Sequence, residues 1–290
     1  MSRSLARMPF STVVELQDEF AHVSLSGERL AALARPSGFH SLQETRRLTE
    51  LKNNIHIYMG VTLNWSIGVA TAGRKMILTI ANIKGGVGKT TLSVNIAIAR
   101  ALDGFDVLLV DADEQGSAAD FTQIRTDRVG RAGYTAMRLK GREIRSEIDK
   151  LRGKFDDIII DVGGQENEGL RAALMIADRV LVPVQPSTFD VWSFEGVARL
   201  VSEATISNPN LQAFAVLNAA DAQGRDNDEA RELLNEVAEI KTLAIMVVRR
   251  KAFRNAAAQG RSVLDMIPRD AKAVQELSAL VSAIYSSSGS

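Results

Sequence analysis

Short β-branched runs recur along this chain at intervals that leave room for a helix between them. That alternation restricts the fold more than any other feature. The runs are MILTIAN (76–82), DVLLVDA (106–112), FDDIIID (155–161), RVLVPV (179–184) and LQAFAVLN (211–218). Segments with helical spacing fall at 90–102, 169–177, 189–206 and 228–240, and a last one at 271–285. Strands that are apolar on both faces and alternate with helices build a parallel sheet covered on both sides. The expected class is α/β, a doubly wound, mainly parallel sheet with helices on both faces. In the last segment Val274, Leu277, Leu280, Val281 and Ile284 form one stripe, and no Lys or Arg follows Lys272. The stripe is expected to pack on the sheet rather than lie in a membrane.

Residues 1–75 lack this rhythm and are expected to form an N-terminal extension ahead of a domain at 76–290. Three readings stand for them: a poorly ordered segment, sequence upstream of a true start at Met76, or a small accessory DNA-binding element. The uncharged stretch 53–73 has the length of a membrane span, but its three asparagines, its histidine and its glycines weaken that reading. The tripeptide 70–72 resembles a signal cleavage site but stands too far from the N-terminus.

Composition removes several chemistries. The chain has no cysteine, which excludes disulfides, zinc-thiolate sites, iron–sulfur clusters and a thiol nucleophile. Its histidines, His22, His40 and His56, all precede the regular region, so chemistry there proceeds without an imidazole base or a His-ligated metal. Lys+Arg and Asp+Glu balance at 35 each, yet residues 241–272 hold eight basic side chains against Asp265 and Asp270. Such a local excess is either a solvated charged face or an electrostatic binding surface.

The most informative segment is Ile83-Lys84-Gly85-Gly86-Val87-Gly88-Lys89-Thr90-Thr91, between the first strand and the first helix. Phosphate binding needs several backbone N–H groups turned into one concavity, and Gly85, Gly86 and Gly88 permit the necessary dihedrals. The helix opening near Thr90 adds unpaired amides and a positive dipole end, with Thr91 beside it. Lys89 is expected to reach the β- and γ-phosphates, and the Thr90 hydroxyl to ligate Mg²⁺. A carboxylate ends each of the next two informative strands. Asp111-Ala112-Asp113-Glu114-Gln115 follows 106–110, and Asp161-Val162-Gly163-Gly164 follows 157–160. Asp161, ending an apolar run, is expected to hold Mg²⁺, usually through water. In a parallel sheet, ligands bind beyond the carboxyl ends of the strands. Asn218 closes 211–217, either as a base-contacting residue or as an ordinary turn residue.

KGGVGKTT, with Lys84 opening the loop where an ordinary phosphate-binding loop has glycine at Ile83, resembles the deviant Walker A motif of the ParA/MinD group of P-loop ATPases. The resemblance spans about 210 residues, in the compact form without a large helix-turn-helix domain. It implies that ATP and Mg²⁺ are the cofactors and that Lys84 reaches the partner's phosphates in a nucleotide-sandwich homodimer. It further implies that Asp113 orients the attacking water, that Asp111 belongs to the Mg²⁺ shell, and that the Gly163-Gly164 loop senses the γ-phosphate through a backbone N–H. The family pattern D-x-D-P-Q has proline where this chain has Glu114.

Within that group, Val182-Pro183-Val184-Gln185-Pro186, Val248-Arg249-Arg250 and Gly260-Arg261-Ser262-Val263 are similar to ParA-type partition ATPases. Missing cysteines argue against nitrogenase iron proteins and arsenite-pump ATPases, and the uncharged tail against MinD-like membrane cycling. The resemblance implies weak ATP hydrolysis stimulated by a ParB-like centromere-binding protein, and nonspecific DNA binding in the ATP state. Candidate DNA contacts are Arg249, Arg250, Lys251, Arg254, Arg261, Arg269 and Lys272. The implied function is plasmid or chromosome partition in the cytoplasm, over the nucleoid. Positioning of a protein cargo by the same machinery is the alternative, followed by a MinD-like membrane regulator and a small-molecule P-loop enzyme.

Overall fold

The computed structural model describes residues 75–186 and 191–286. The expectations for 1–74, including those for the three histidines and the stretch 53–73, lie outside the described residues. From residue 76 on, strands and helices alternate. The order is β1 (Met76–Ile80), α1 (Lys89–Leu102), β2 (Val107–Ala112), α2 (Ser117–Val129), β3 (Thr135–Arg138), α3 (Glu143–Leu151), β4 (Asp157–Val162) and α4 (Glu168–Ile176). It continues with β5 (Arg179–Val184), α5 (Val191–Ser207), β6 (Gln212–Ala220), α6 (Arg225–Asn235), β7 (Lys241–Val248), α7 (Lys251–Ala257) and α8 (Ala271–Ser286).

The strands form one sheet in the order β3-β2-β4-β1-β5-β6-β7. Every pairing is parallel. The expected sheet is therefore present, and the described part is wholly parallel. Successive side chains on a strand point to opposite faces, which explains why the central strands read as unbroken apolar runs. Ile77, Leu108, Ile158 and Ile160 face one layer with Ile144, Leu170, Leu174, Val197 and Leu234 from α3 to α6. Leu78, Ile80, Leu109 and Ile159 face the other with Leu92, Ile96, Phe121, Phe253, Leu277 and Ile284 from α1, α2, α7 and α8. The stripe on α8 thus packs inward, as its spacing predicts. Among the described residues no helix is long and apolar enough to cross a membrane.

This topology makes a crevice. From β1 the chain crosses to β2 past β4, and from β4 it crosses to β5 past β1. The connections leave these adjacent strands in opposite directions, and α1 and α4 cover opposite faces. The carboxyl ends of β1 and β4 therefore flank the point where the sheet reverses, the place where open α/β sheets bind ligands.

Five elements are absent from the sequence reading: β3, β7, α2, α3 and α7. Strand β3 has only four residues and is largely exposed at the sheet edge, so no apolar run marks it. Strand β7 lies at the opposite edge with an interrupted burial pattern. Helix α2 buries only Ala118, Phe121 and Arg125, and α3 only Ile144 and Ile148.

Candidate functional site

After β1 the chain turns through residues 81–88 into α1, whose N-cap, Gly88, adopts the left-handed conformation at φ 91°. No N-cap side chain accepts a hydrogen bond here, and the first turn contains no acidic residue. The positive end of α1 is thereby left for an external anion. Neighbouring strand ends brace the loop. The Asn82 amide donates to the Pro183 carbonyl at 2.9 Å, and its Oδ1 accepts the Lys84 N–H at 2.9 Å. Gln185 Nε2 donates to the Gly86 carbonyl at 2.9 Å. Asn218 Nδ2, from the end of β6, donates to the Val87 carbonyl at 2.7 Å. The structure thus gives Asn218 a definite part, holding the floor of the loop.

Gly88 is fixed by that contact as well as by its dihedral, since a Cβ there would stand 2.3 Å from Asn218 Nδ2. A left-handed L-residue costs about 1–2 kcal/mol, and the Asn218 brace would be displaced in addition. Gly88→Ala is therefore expected to weaken binding of a fluorescent ATP analogue by about tenfold or more. A titration in which this variant matches wild type would remove the brace from the binding site.

Lys89, in the first turn of α1, is 7% exposed. Its Nζ donates to the Lys84 carbonyl at 2.9 Å. Burial lowers its pKa from the ordinary value, opposed by the carboxylates of Asp161 and Asp113. Lys84 is partly buried at the start of the loop, next to the exposed Gly85 and Gly86. Asp161, on β4, is fully buried, and its Oδ1 accepts from Ser93 Oγ at 2.9 Å. Burial pushes its pKa up to about 7, against the pull of the Thr90 and Ser93 hydroxyls. The Oδ2 atom is buried with no partner in hydrogen-bond geometry.

A buried carboxylate oxygen without a partner, with a threonine hydroxyl beside it, suits a hydrated Mg²⁺ that completes its shell with phosphate oxygens. Among the described residues no group of three or more His, Cys, Asp or Glu is placed to hold a metal ion. A cation here would therefore depend on the phosphates of a bound nucleotide. The chain's own donor set fits that arrangement.

The β2 carboxylates play different parts. Asp111 is 3% exposed. Its Oδ1 accepts the Asp113 N–H at 3.1 Å and its Oδ2 the Ala119 N–H at 2.8 Å. In the structure it therefore fastens the 113–116 turn and the first turn of α2. Asp113 points across to the β4 loop, where a Cβ on Gly163 would stand 3.4 Å from its Oδ1. That oxygen also accepts the Gln115 N–H at 3.1 Å. Gly164 lies against the phosphate loop, since a Cβ there would meet Gly85 Cα at 3.0 Å and Lys89 Nζ at 3.3 Å. Lys89, Asp113, Asp161 and Gly164 thus converge on one crevice. A cavity of about 280 Å³ between α2 and β3 adjoins the site only through Asp111 and the loop-facing Arg138.

The basic segment divides in two. Lys251, Arg254, Arg269 and Lys272 are exposed, as is Arg249, whose Nε donates to the Ala219 carbonyl at 3.3 Å. Arg250 instead pairs with Glu276, its Nε 3.1 Å from each carboxylate oxygen. Arg261 donates to the Asp265 carbonyl at 3.0 Å. Both were candidate DNA contacts by charge and location; the structure meets the charge of Arg250 with a carboxylate, whereas the carbonyl that Arg261 engages does not cancel its charge. The partner Glu276 lies just beyond the segment whose charges were counted.

Two functional groups escape the sequence reading. Ser93 holds Asp161 and stands four residues after Lys89, one turn along the same helix face. Asn95 accepts from Ser262 Oγ at 2.7 Å and donates to the Thr91 carbonyl at 2.7 Å. The Gly260-Arg261-Ser262-Val263 segment is thereby tied to the helix that the phosphate loop opens.

Comparison with known proteins agrees with this geometry. The family model for the CobQ/CobB/MinD/ParA nucleotide binding domain matches residues 78–274. Maintenance of carboxysome distribution protein A from Halothiobacillus neapolitanus is 28% identical over 217 residues, covering 74% of this chain and 99% of that protein. The chromosome partitioning protein ParA of Myxococcus xanthus is 29% identical over 191 residues, covering 52% of this chain and 66% of that protein. The solved ATP complex of McdA from Cyanothece shares the fold, with a TM-score of 0.60 at 16% identity over 75% of this chain and 99% of that one.

Proposed function

Because this chain belongs to the CobQ/CobB/MinD/ParA nucleotide binding domain family, we propose that it is a Mg²⁺- and ATP-dependent ATPase that dimerises around its nucleotide, holds nonspecific DNA in that state, and positions a cargo. The observation that carries the reading is Lys84, a second lysine at the exposed mouth of a phosphate loop that already contains Lys89. Within one protomer Lys89 occupies the inside of the loop. A lysine at the rim can reach the nucleotide of a second copy and offset charge there, as an arginine finger does.

In this mechanism the loop amides and Lys89 hold the β- and γ-phosphates, with Lys89 exchanging the Lys84 carbonyl for phosphate oxygens. Thr90 and Asp161 would hold Mg²⁺, which would supply positive charge to the phosphates when bound. Asp113 orients the attacking water, and Gly164 brings its N–H to the γ-phosphate side of the loop. Hydrolysis is slow until a partner completes the site. Lys251, Arg254, Arg269 and Lys272, with Arg249, form the DNA surface, and dimerisation doubles it. Each neutralised phosphate contributes about −0.9 to the slope of log affinity against log salt. The protein would then work in the cytoplasm, over the nucleoid.

The test is binding to nonspecific duplex DNA with ATP, ADP or no nucleotide, at two salt concentrations, for wild type and Lys84→Ala. Binding is expected with ATP only, to fall steeply with salt, and to be lost in the variant, which still binds ATP as a monomer. Variant dimers of wild-type affinity would remove Lys84 from the interface. DNA binding indifferent to nucleotide would refute the gate.

For the cargo, the end-to-end match with a carboxysome distribution protein favours a protein assembly. Plasmid or chromosome partition with a ParB-like partner is the second reading, supported by the match with a chromosome partitioning protein. Deleting the gene separates the two. Daughter cells that lack the chromosome or the plasmid follow in the second reading, and mislocalised assemblies in cells that keep both follow in the first.

A further inference from the structure

We propose that Arg138, on the edge strand β3, is the positioning residue for the loop that carries Asp113, and that it replaces the constraint a proline at position 114 would supply. The inference rests on the reading of Asp113 as the residue that orients water. Residues 113–116 form a β-turn, closed by the Gly116 N–H donating to the Asp113 carbonyl at 3.1 Å. Asp at the first position and Gly at the fourth are the residues such a turn favours, and its second position favours proline, whose ring presets φ. Here that second position is Glu114, which sets no dihedral. The turn that aims Asp113 thus lacks a preset φ at its second position, and within it Asp113 Oδ1 accepts the Gln115 N–H.

A further restraint comes from outside. Arg138 Nη2 donates to the Glu114 carbonyl at 3.1 Å. Its guanidinium lies flat against the turn, since a Cβ on Gly116 would stand 2.9 Å from both Cζ and Nη2. Gly116 also has φ 72°, so both dihedral and contact require glycine there. Strand pairing fixes the origin of the arginine, because Arg138 is in register with Asp111 on β2. Asp111 grips the turn from beneath through the Asp113 and Ala119 amides, and Arg138 covers it from the sheet edge. A planar fork suits that position and a lysine does not, since an ammonium neither stacks on the turn nor directs its donors in a plane.

The test is steady-state hydrolysis of Mg-ATP in the presence of duplex DNA, with parallel titrations of a fluorescent ATP analogue and melting curves. The proteins are full-length wild type, Arg138→Ala, Arg138→Lys, Glu114→Pro, the double variant Arg138→Ala/Glu114→Pro, and Asp113→Ala. Arg138→Ala is expected to lose about tenfold in kcat, as misplaced catalytic groups do, with nucleotide affinity unchanged. Arg138→Lys should behave like Arg138→Ala. Glu114→Pro alone should stay near wild type, and in the Arg138→Ala background it should restore most of the lost rate. An Arg138→Ala variant with wild-type kcat overturns the proposal, as does a defect that Glu114→Pro leaves unrepaired or one that appears as lost nucleotide binding. Asp113→Ala with normal turnover removes Asp113 from the reaction and the role of Arg138 with it. A defective Asp113→Ala beside a normal Arg138→Ala sinks the positioning role alone.

Discussion

Lys89→Ala is expected to bind ATP at least about 100-fold more weakly than wild type, the scale seen when one member of a buried charge pair is truncated. Two effects add. The direct one is loss of the cation that faces the phosphates from inside the loop. The indirect one is exposure of an incoming polyanion to the Asp113 carboxylate, which acts on Lys89 in the unliganded protein, together with loss of the cation that favours ionised Asp161 for Mg²⁺. Asp161 is already strained by burial, its pKa raised to about 7 with Lys89 present. Removing the lysine leaves that carboxyl nothing cationic to oppose desolvation. Isothermal titration with Mg-ATP measures the loss, and a dissociation constant within threefold of wild type would contradict the whole assignment of the loop.

The second large effect concerns rate rather than affinity. Asp113→Ala should retain ATP, dimerise and remain on DNA, while turnover falls by about 100-fold or more, the range typical for a lost general base or water-orienting group. The histidines all precede residue 57, so a carboxylate is the group available for this task in the nucleotide binding domain. Asp113 is also the carboxylate that faces the β4 loop, while the oxygens of Asp111 hold backbone amides. Asp113→Asn separates charge from shape, because its carbonyl oxygen still accepts the Gln115 N–H. It should fail like the alanine variant if the negative charge matters. Single-turnover hydrolysis with trapped dimers on DNA reads both variants, and normal release of either would remove Asp113 from the chemistry.

Legibility in the sequence followed burial. Strands β1, β2, β4, β5 and β6 are buried on both faces and therefore appear as apolar runs. The edge strand β3 is short and exposed and carries no such run, whereas β7 does contain one, LAIMVV at 243–248, although its burial is interrupted. The phosphate loop could be read because its demands are local: glycine dihedrals, one lysine and a helix start. The parts that brace it come from residues far away in sequence. Asn218 reaches Val87 across 131 positions and Gln185 reaches Gly86 across 99, and no spacing rule encodes such contacts. Charge counting missed the pairing of Arg250 for the same reason, since it registers that cation without the Glu276 carboxylate that engages it.

The strand order carries a consequence for how this molecule comes into being. The central strand β1 pairs with β4 and β5, whose residues lie roughly 80–100 positions later in the chain. During synthesis β1 emerges first among the seven strands and must wait for both flanking partners. In that interval its apolar residues and its hydrogen-bonding edges have no sheet to join. At ribosomal speeds of about 5–20 residues per second the wait lasts several seconds. Parallel pairing at such separation also makes for slow collapse to the native topology. A chain built this way reaches its nucleotide crevice late, since the crevice is the seam between the first strand made and one of the strands it waits for.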